Sequence, residues 1–182
     1  MRKLFISVLL AAVLVPSLAA AQRRGSRAAP TGKQEFGFDL GAAYRKPSGE
    51  DGGIVIGTPL ELRMGLVTAK KLMWEPRLGF EFNTVGGSTS YNIRPGVNVL
   101  YAMAPGTHRT GMYLTGGGAL QLVDFGQSGT VMSMNAALGW RKPWGNAAWR
   151  YELGFRYSFE NQDLGVPSTI EIGGRFGVSL WH

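Results

Sequence analysis

Residues 147–159 read AAWRYELGFRYSF, and the fold follows from how they alternate. Every second residue (Ala147, Trp149, Tyr151, Leu153, Phe155, Tyr157, Phe159) is apolar or aromatic. Those between (Ala148, Arg150, Glu152, Gly154, Arg156, Ser158) are charged or small. Successive side chains of a strand point to opposite faces, so this period of two gives one apolar and one polar face. The apolar face is graded, with aromatic rings at both ends and Leu153 and Phe155 between. An outward apolar band bounded by aromatic girdles is the pattern of a transmembrane β-barrel strand.

The alternation recurs along the chain and predicts eight strands. They are Gln34 to Lys46, Ile54 to Thr68, Leu72 to Thr84, Tyr91 to Met103, Thr110 to Val123, Thr130 to Arg141, Ala147 to Phe159 and Thr169 to His182. In the first, Phe36, Phe38, Leu40, Ala42 and Tyr44 oppose Glu35, Gly37, Asp39, Gly41 and Arg45. Between the strands lie stretches with turn composition: Pro47 to Gly53, Ala69 to Lys71, Val85 to Ser90, Ala104 to Arg109, Asp124 to Gly129, Lys142 to Asn146 and Glu160 to Ser168. Eight is an even number and the smallest common size of an outer-membrane barrel. Each segment reaches the roughly 9–11 residues a tilted strand needs to cross a bilayer.

The first 21 residues read as a cleaved secretory signal peptide. Arg2 and Lys3 precede an apolar run from Leu4 to Val15, and Ala19-Ala20-Ala21 offers a small-residue cleavage site. The run falls short of the roughly 20 apolar residues of a spanning helix. Residues 22–33 form a polar tail without periodicity, expected to be disordered in the periplasm, and 34–182 form the barrel. The basic balance of the chain, formally +7, is concentrated in this leader and tail. After Lys33, thirteen basic residues face twelve acidic ones, which removes the argument for a nucleic-acid partner. There is no cysteine, so disulfides, thiolate metal sites and a lipidated N-terminal cysteine are excluded.

Alternation alone does not say which face is enclosed, since a soluble barrel buries its apolar side. Three features put the polar face inside. It is rich in glycine, which weakens an exposed strand but makes room in a narrow interior. It carries matched charges, Glu61, Arg63, Glu75, Arg77, Glu81, Arg94, Arg150, Glu152, Arg156, Glu171 and Arg175, which can satisfy one another only where they are confined together. Finally, the apolar face ends in a girdle formed by Trp74, Tyr91, Tyr101, Trp140, Trp149, Tyr151 and Tyr157.

Residues 34–182 thus resemble the small eight-stranded outer-membrane barrels of Gram-negative bacteria, the OmpA/OmpX-like superfamily. The resemblance implies a cell outer membrane location, contact with outer-membrane lipids and lipopolysaccharide, and delivery by periplasmic chaperones to the barrel assembly machinery. Family members end in an alternating strand with a terminal aromatic that this machinery reads. Here Phe176, Val178, Leu180 and His182 keep the spacing with histidine last, and Trp181 is aromatic in the other phase.

Pro59, Pro76 and Pro95 fall inside strands of a sheet without a free edge, where each removes a donor and marks a bulge. The lumen charges are read as a packed ion-pair core, with a narrow pore for small solutes as the alternative. Catalysis is not expected. Barrels that deacylate lipid A use a histidine followed two residues later by serine, whereas His108 is followed by Thr110. Short loops argue against a large adhesive surface. No cofactor or metal site is expected, and a monomer is favoured. With both termini periplasmic, the periplasmic turns hold Lys70, Lys71, Arg109 and Lys142, and the outer loops Glu50, Asp51, Asp124, Glu160 and Asp163.

Overall fold

The computed structural model describes residues 34–85, 88–103, 108–124 and 128–182, with side chains apart from those at 57–59, 82–85, 88–90, 123, 124 and 128. The signal peptide and tail assigned to 1–33 lie outside the described residues.

Eight antiparallel strands close into a barrel in which each neighbours the next in sequence. They are β1 (Gln34–Pro47), β2 (Gly53–Val67), β3 (Leu72–Val85), β4 (Ser88–Ala102), β5 (Gly111–Asp124), β6 (Ser128–Trp144), β7 (Ala147–Ser158) and β8 (Thr169–Trp181). A short 3-10 turn, Gln162–Leu164, sits in the loop before β8 and is capped by the Asn161 side chain. Closure is a full ladder: β1 pairs with β8 from Glu35↔Trp181 to Pro47↔Thr169. With both edges paired, no lipid-facing backbone group is orphaned there, which is the condition for a sheet to span a bilayer.

The faces divide as alternation dictates. Phe36, Phe38, Leu40, Leu62, Leu120, Leu138, Phe155 and Ile172 are exposed, while Glu35, Asp39, Arg63, Glu75, Arg141 and Arg150 are buried. Among the described residues the buried apolar cluster is Met73, Leu100, Tyr113 and Trp181, at the end where β1 begins and β8 stops. Inward glycines make room for the long side chains. A Cβ on Gly37 would meet the Arg63 guanidinium, one on Gly139 the Tyr113 ring, and one on Gly177 the Asp39 carboxylate.

Two expected connections prove shorter than their composition suggests. The Gly/Ser stretch Val85 to Ser90 is not all loop, since β3 and β4 stay paired out to Val85↔Ser88. Serine and threonine carry no hydrophobic alternation, yet their backbone groups are satisfied by the ladder. Lys142, Pro143 and Trp144 belong to β6 and pair with β7. This leaves a two-residue turn of Gly145 and Asn146, in which Gly145 has φ 59°. Glycine at the first central position is what a type II′ hairpin requires.

The three strand prolines behave differently. Pro59 lies in a bulge, because Leu40↔Leu60 is followed by Ala42↔Ile56, two residues of β1 against four of β2. Pro76 and Pro95 mark no bulge. The β3–β4 register runs unbroken through both. Each interrupts only the ladder to its other neighbour, opposite Met64 of β2 and Leu120 of β5, and the register resumes unshifted. A missing N–H affects one side of a strand, so a closed sheet absorbs it as a local gap.

Candidate functional site: a charged lumen

Because one face of every strand points inward, residues distant in sequence converge on the axis. The side chains given above as matched charges all line this interior, together with Glu35, Asp39 and Arg45 from the polar face of the first strand, and the structure adds Arg141. Among the described residues, eight arginines share seven carboxylates in one network. Glu35, Asp39 and Arg45 follow the phase of β1, and Arg141 that of Ser133, Asn135 and Gly139. Reading that phase to the strand ends finds all four.

The network has two levels. Near the termini, Arg63 pairs with Glu35 and with Asp39 at 2.7 Å, and Arg141 pairs with Glu35 at 2.5 Å. Arg150 donates to Glu75 at 2.5 and 3.0 Å and pairs with Glu152, while Arg77 reaches Glu75 at 2.6 Å and Glu152 at 3.3 Å. Toward the opposite end, Arg175 and Arg77 approach Glu61 at 3.1 and 3.5 Å. Arg45, Arg94 and Arg156 gather on Glu81 and Glu171. Many of these bonds join strands that are not neighbours: β3 to β7 (Arg77–Glu152, Glu75–Arg150), β1 to β6 (Glu35–Arg141), β2 to β8 (Glu61–Arg175). Such pairs lie across the bore. Neutral partners fill one side, with Asn98 and Asn135 exchanging bonds at 2.7 and 3.2 Å and Gln121 donating to Ser158 at 2.6 Å. A cavity of about 30 Å³ remains among Glu152, Arg156, Glu171 and Arg175, room for a water.

The end where β1 begins and β8 stops is stoppered. Arg109, Trp181, Arg141, Tyr113 and Arg150 alternate cation and ring, with guanidinium-to-centroid distances of 5.6, 5.4, 4.7 and 5.0 Å. Tyr113 also donates to Glu152 at 2.9 Å. Trp181, the aromatic in the other phase of the last strand, points inward and is 7% exposed. Met73 and Leu100, both fully buried, complete the plug.

The outward aromatics lie in two groups. Trp74, Tyr101, Trp140, Trp149 and Tyr151 are near the termini, and Tyr91 and Tyr157 near the opposite end. Trp144, hidden in the expected turn, joins the first group and stacks on Trp149, which stacks in turn on Phe176. Lys71 lies 5.4 Å from the Tyr101 ring centroid. Of the last-strand positions, Phe176 and Leu180 are exposed on the apolar face. His182 exchanges backbone bonds with Gln34.

Neither histidine side chain joins the lumen ion pairs, though the His108 carbonyl accepts from Arg141 Nη1 at 2.8 Å. His108 sits at the stoppered mouth with Nε2 2.9 Å from the Ala69 carbonyl, and His182 is exposed at the same end. Among the described residues, no group of three or more acidic or histidine side chains could hold a metal ion.

No family model and no curated protein sequence matches the chain. Solved structures do. The attachment invasion locus protein Ail of Yersinia pestis aligns with a TM-score of 0.51 at 12% identity, over 82% of this chain and 97% of that one. Neisserial surface protein A aligns with a TM-score of 0.52 at 16% identity, over 82% and 97%. The outer membrane protein OprG of Pseudomonas aeruginosa gives 0.52 at 11% identity, over 83% and 96%. At these identities the likeness is one of fold: the chain has the architecture of the small eight-stranded outer-membrane barrels.

Proposed function

We propose that the mature chain is an integral barrel of the cell outer membrane, exported through a signal peptide and serving a structural or membrane-integrity role. In this reading the lumen is a packed ion-pair core that conducts nothing, and both termini are periplasmic. The exposed apolar band and aromatic groups meet outer-membrane lipid and lipopolysaccharide. The last strand, ending Phe176, Val178, Leu180 and His182, is recognised by the barrel assembly machinery after periplasmic chaperones deliver the chain.

The observation that carries this reading is the set of ion pairs crossing the bore above a mouth stoppered by Trp181, Met73 and Leu100. An eight-stranded barrel is just wide enough for side chains to fill, and here charged side chains fill it with their partners in place. Both histidines lie at the stoppered end, away from the mouth that this reading places outside the cell.

Planar-bilayer recording of the refolded mature barrel tests this. The expected result is a silent membrane, for the native chain and for Arg156→Gln and Glu152→Gln alike. Discrete channels in the native chain would favour narrow-pore transport of small solutes instead.

A further inference from the structure

The β2–β3 seam is incomplete in one half of the barrel wall. The ladder runs from Val67↔Met73 only as far as Leu60↔Phe80. Beyond it, β2 has seven more residues, Gly53–Pro59, and β3 five more, Glu81–Val85. Residues 53–56 pair with β1 and 81–85 with β4, but among the described residues none of them pairs across the seam. Facing N–H and C=O groups there have no strand partner, and in lipid that is costly. The bulge at Pro59 in the β1–β2 ladder lies where the gap begins. Ile54 and Ile56, on its lip, are 76% and 78% exposed, more than any other large apolar side chain described.

What holds this part of the wall is a side-chain bridge. Arg45 of β1 reaches past β2 to Glu81, the first β3 residue beyond the ladder, in a bidentate pair at 2.9 and 3.0 Å. Glu81 also accepts from Arg94 at 2.8 Å. Arg94 is 3% exposed, yet its Nε and Nη1 have no hydrogen-bond partner. Its next carboxylate, Glu171, is 4.0 Å from Nη1 and already held by Arg45 and Arg156. Arg45, Arg94 and Arg156 thus crowd Glu81 and Glu171 behind the gap, with Arg156 also 3.9 Å from Glu61. The buried Arg94 guanidinium, paired with Glu81 through Nη2, keeps two donors unused, which can take a further phosphate or carboxylate oxygen.

We propose that the β2–β3 gap is a lateral portal, latched by Arg45–Glu81. Through it an anionic single-chain amphiphile places its phosphate or carboxylate against Arg94 while its hydrocarbon chain stays in the bilayer past Ile54 and Ile56. This goes beyond the structural role proposed above and does not depend on it, since a barrel that conducts no ions can still take up a headgroup from the side.

The test uses the mature chain refolded in neutral maltoside detergent, with folding verified by heat-modifiable migration, and with dodecyl phosphate and inorganic phosphate as probes. Calorimetry and native mass spectrometry should show one dodecyl phosphate bound per barrel, Arg94→Gln weakening it about tenfold or more, and inorganic phosphate bound far more weakly. Arg45→Gln, which opens the latch and leaves Arg94 in place, should speed uptake severalfold. A cysteine pair at Ile56 and Thr84, opposite by continuation of the register, should block uptake when oxidised and restore it when reduced. Inorganic phosphate binding as tightly as dodecyl phosphate, unaffected by the cross-link, would mean a soluble anion entering by the mouth and would overturn the portal. Absence of binding, or equal binding by Arg94→Gln, would overturn the site.

Discussion

Glu75 is fully buried and accepts from Arg77, Arg141 and Arg150, with Arg63 3.9 Å away. Its carboxylate compensates more arginines than any surface acid could, so its loss strands several cations at once. Removing one partner of a buried ion pair costs roughly 3–5 kcal/mol because the other charge stays buried. Glu75→Gln should therefore lower unfolding stability by about that amount in urea titrations followed by tryptophan fluorescence, and the same change at exposed Glu50 by less than about 0.5 kcal/mol. Gly145 is the contrasting case, a residue chosen for its backbone. Its φ of 59° is unfavourable for any side chain, and a Cβ there would meet no atom. Gly145→Ala should cost about 1 kcal/mol or more through backbone strain alone, and a neutral outcome would contradict the type II′ assignment.

At the scale of elements, the strands differ in how completely they are held. β1 is bonded on both sides for nearly its whole length, whereas β2 loses one side over Gly53–Pro59. Hydrogen exchange in detergent should reflect this, since local opening follows local pairing. Peptides covering 53–56 should exchange orders of magnitude faster than peptides covering 60–63, and equal protection would mean that the seam is closed. Strand ends were also where local composition misled. Val85 and Ser88 to Ser90 carry loop-like residues yet pair, and Trp144 follows a proline yet stacks on Trp149. Backbone pairing needs no hydrophobic signal, so it can extend a strand beyond its visible alternation.

For the whole molecule, the inside-out distribution sets the solvent it requires. An apolar outer band of Phe36, Leu62, Leu138, Phe155 and Ile172 leaves a large surface that water does not tolerate in a monomer. The mature chain should be compact and heat-modifiable on gels only in detergent or lipid; a monodisperse folded monomer in plain buffer would refute the membrane assignment. Orientation is a separate matter. The end where β1 begins and β8 stops carries Lys70, Lys71, Lys142 and the Trp181 plug, and the opposite end carries Glu50, Asp51, Glu160 and Asp163. The cysteine-free background makes single thiols informative. Cysteine at Asp51 should react with a membrane-impermeant maleimide on intact cells, and cysteine at Lys70 only after the outer membrane is permeabilised. The reverse pattern would invert the barrel.

The sequence by itself determined the number of strands, the closed antiparallel sheet and the identity of the inward face, because a period of two acts locally on every segment. It also supplied the lumen charges wherever the phase was read to the strand ends. It could not determine which arginine meets which carboxylate, since those pairs join β1 to β6 or β3 to β7 and depend on register and stagger around the closed wall. Nor could it show that Trp181 stoppers one mouth, that Pro59 but not Pro76 or Pro95 bulges its strand, or that β2 and β3 part company beyond Leu60. Each of these follows from where a closed barrel brings distant side chains together and where it leaves a backbone group without a neighbour, and neither is a property of one segment.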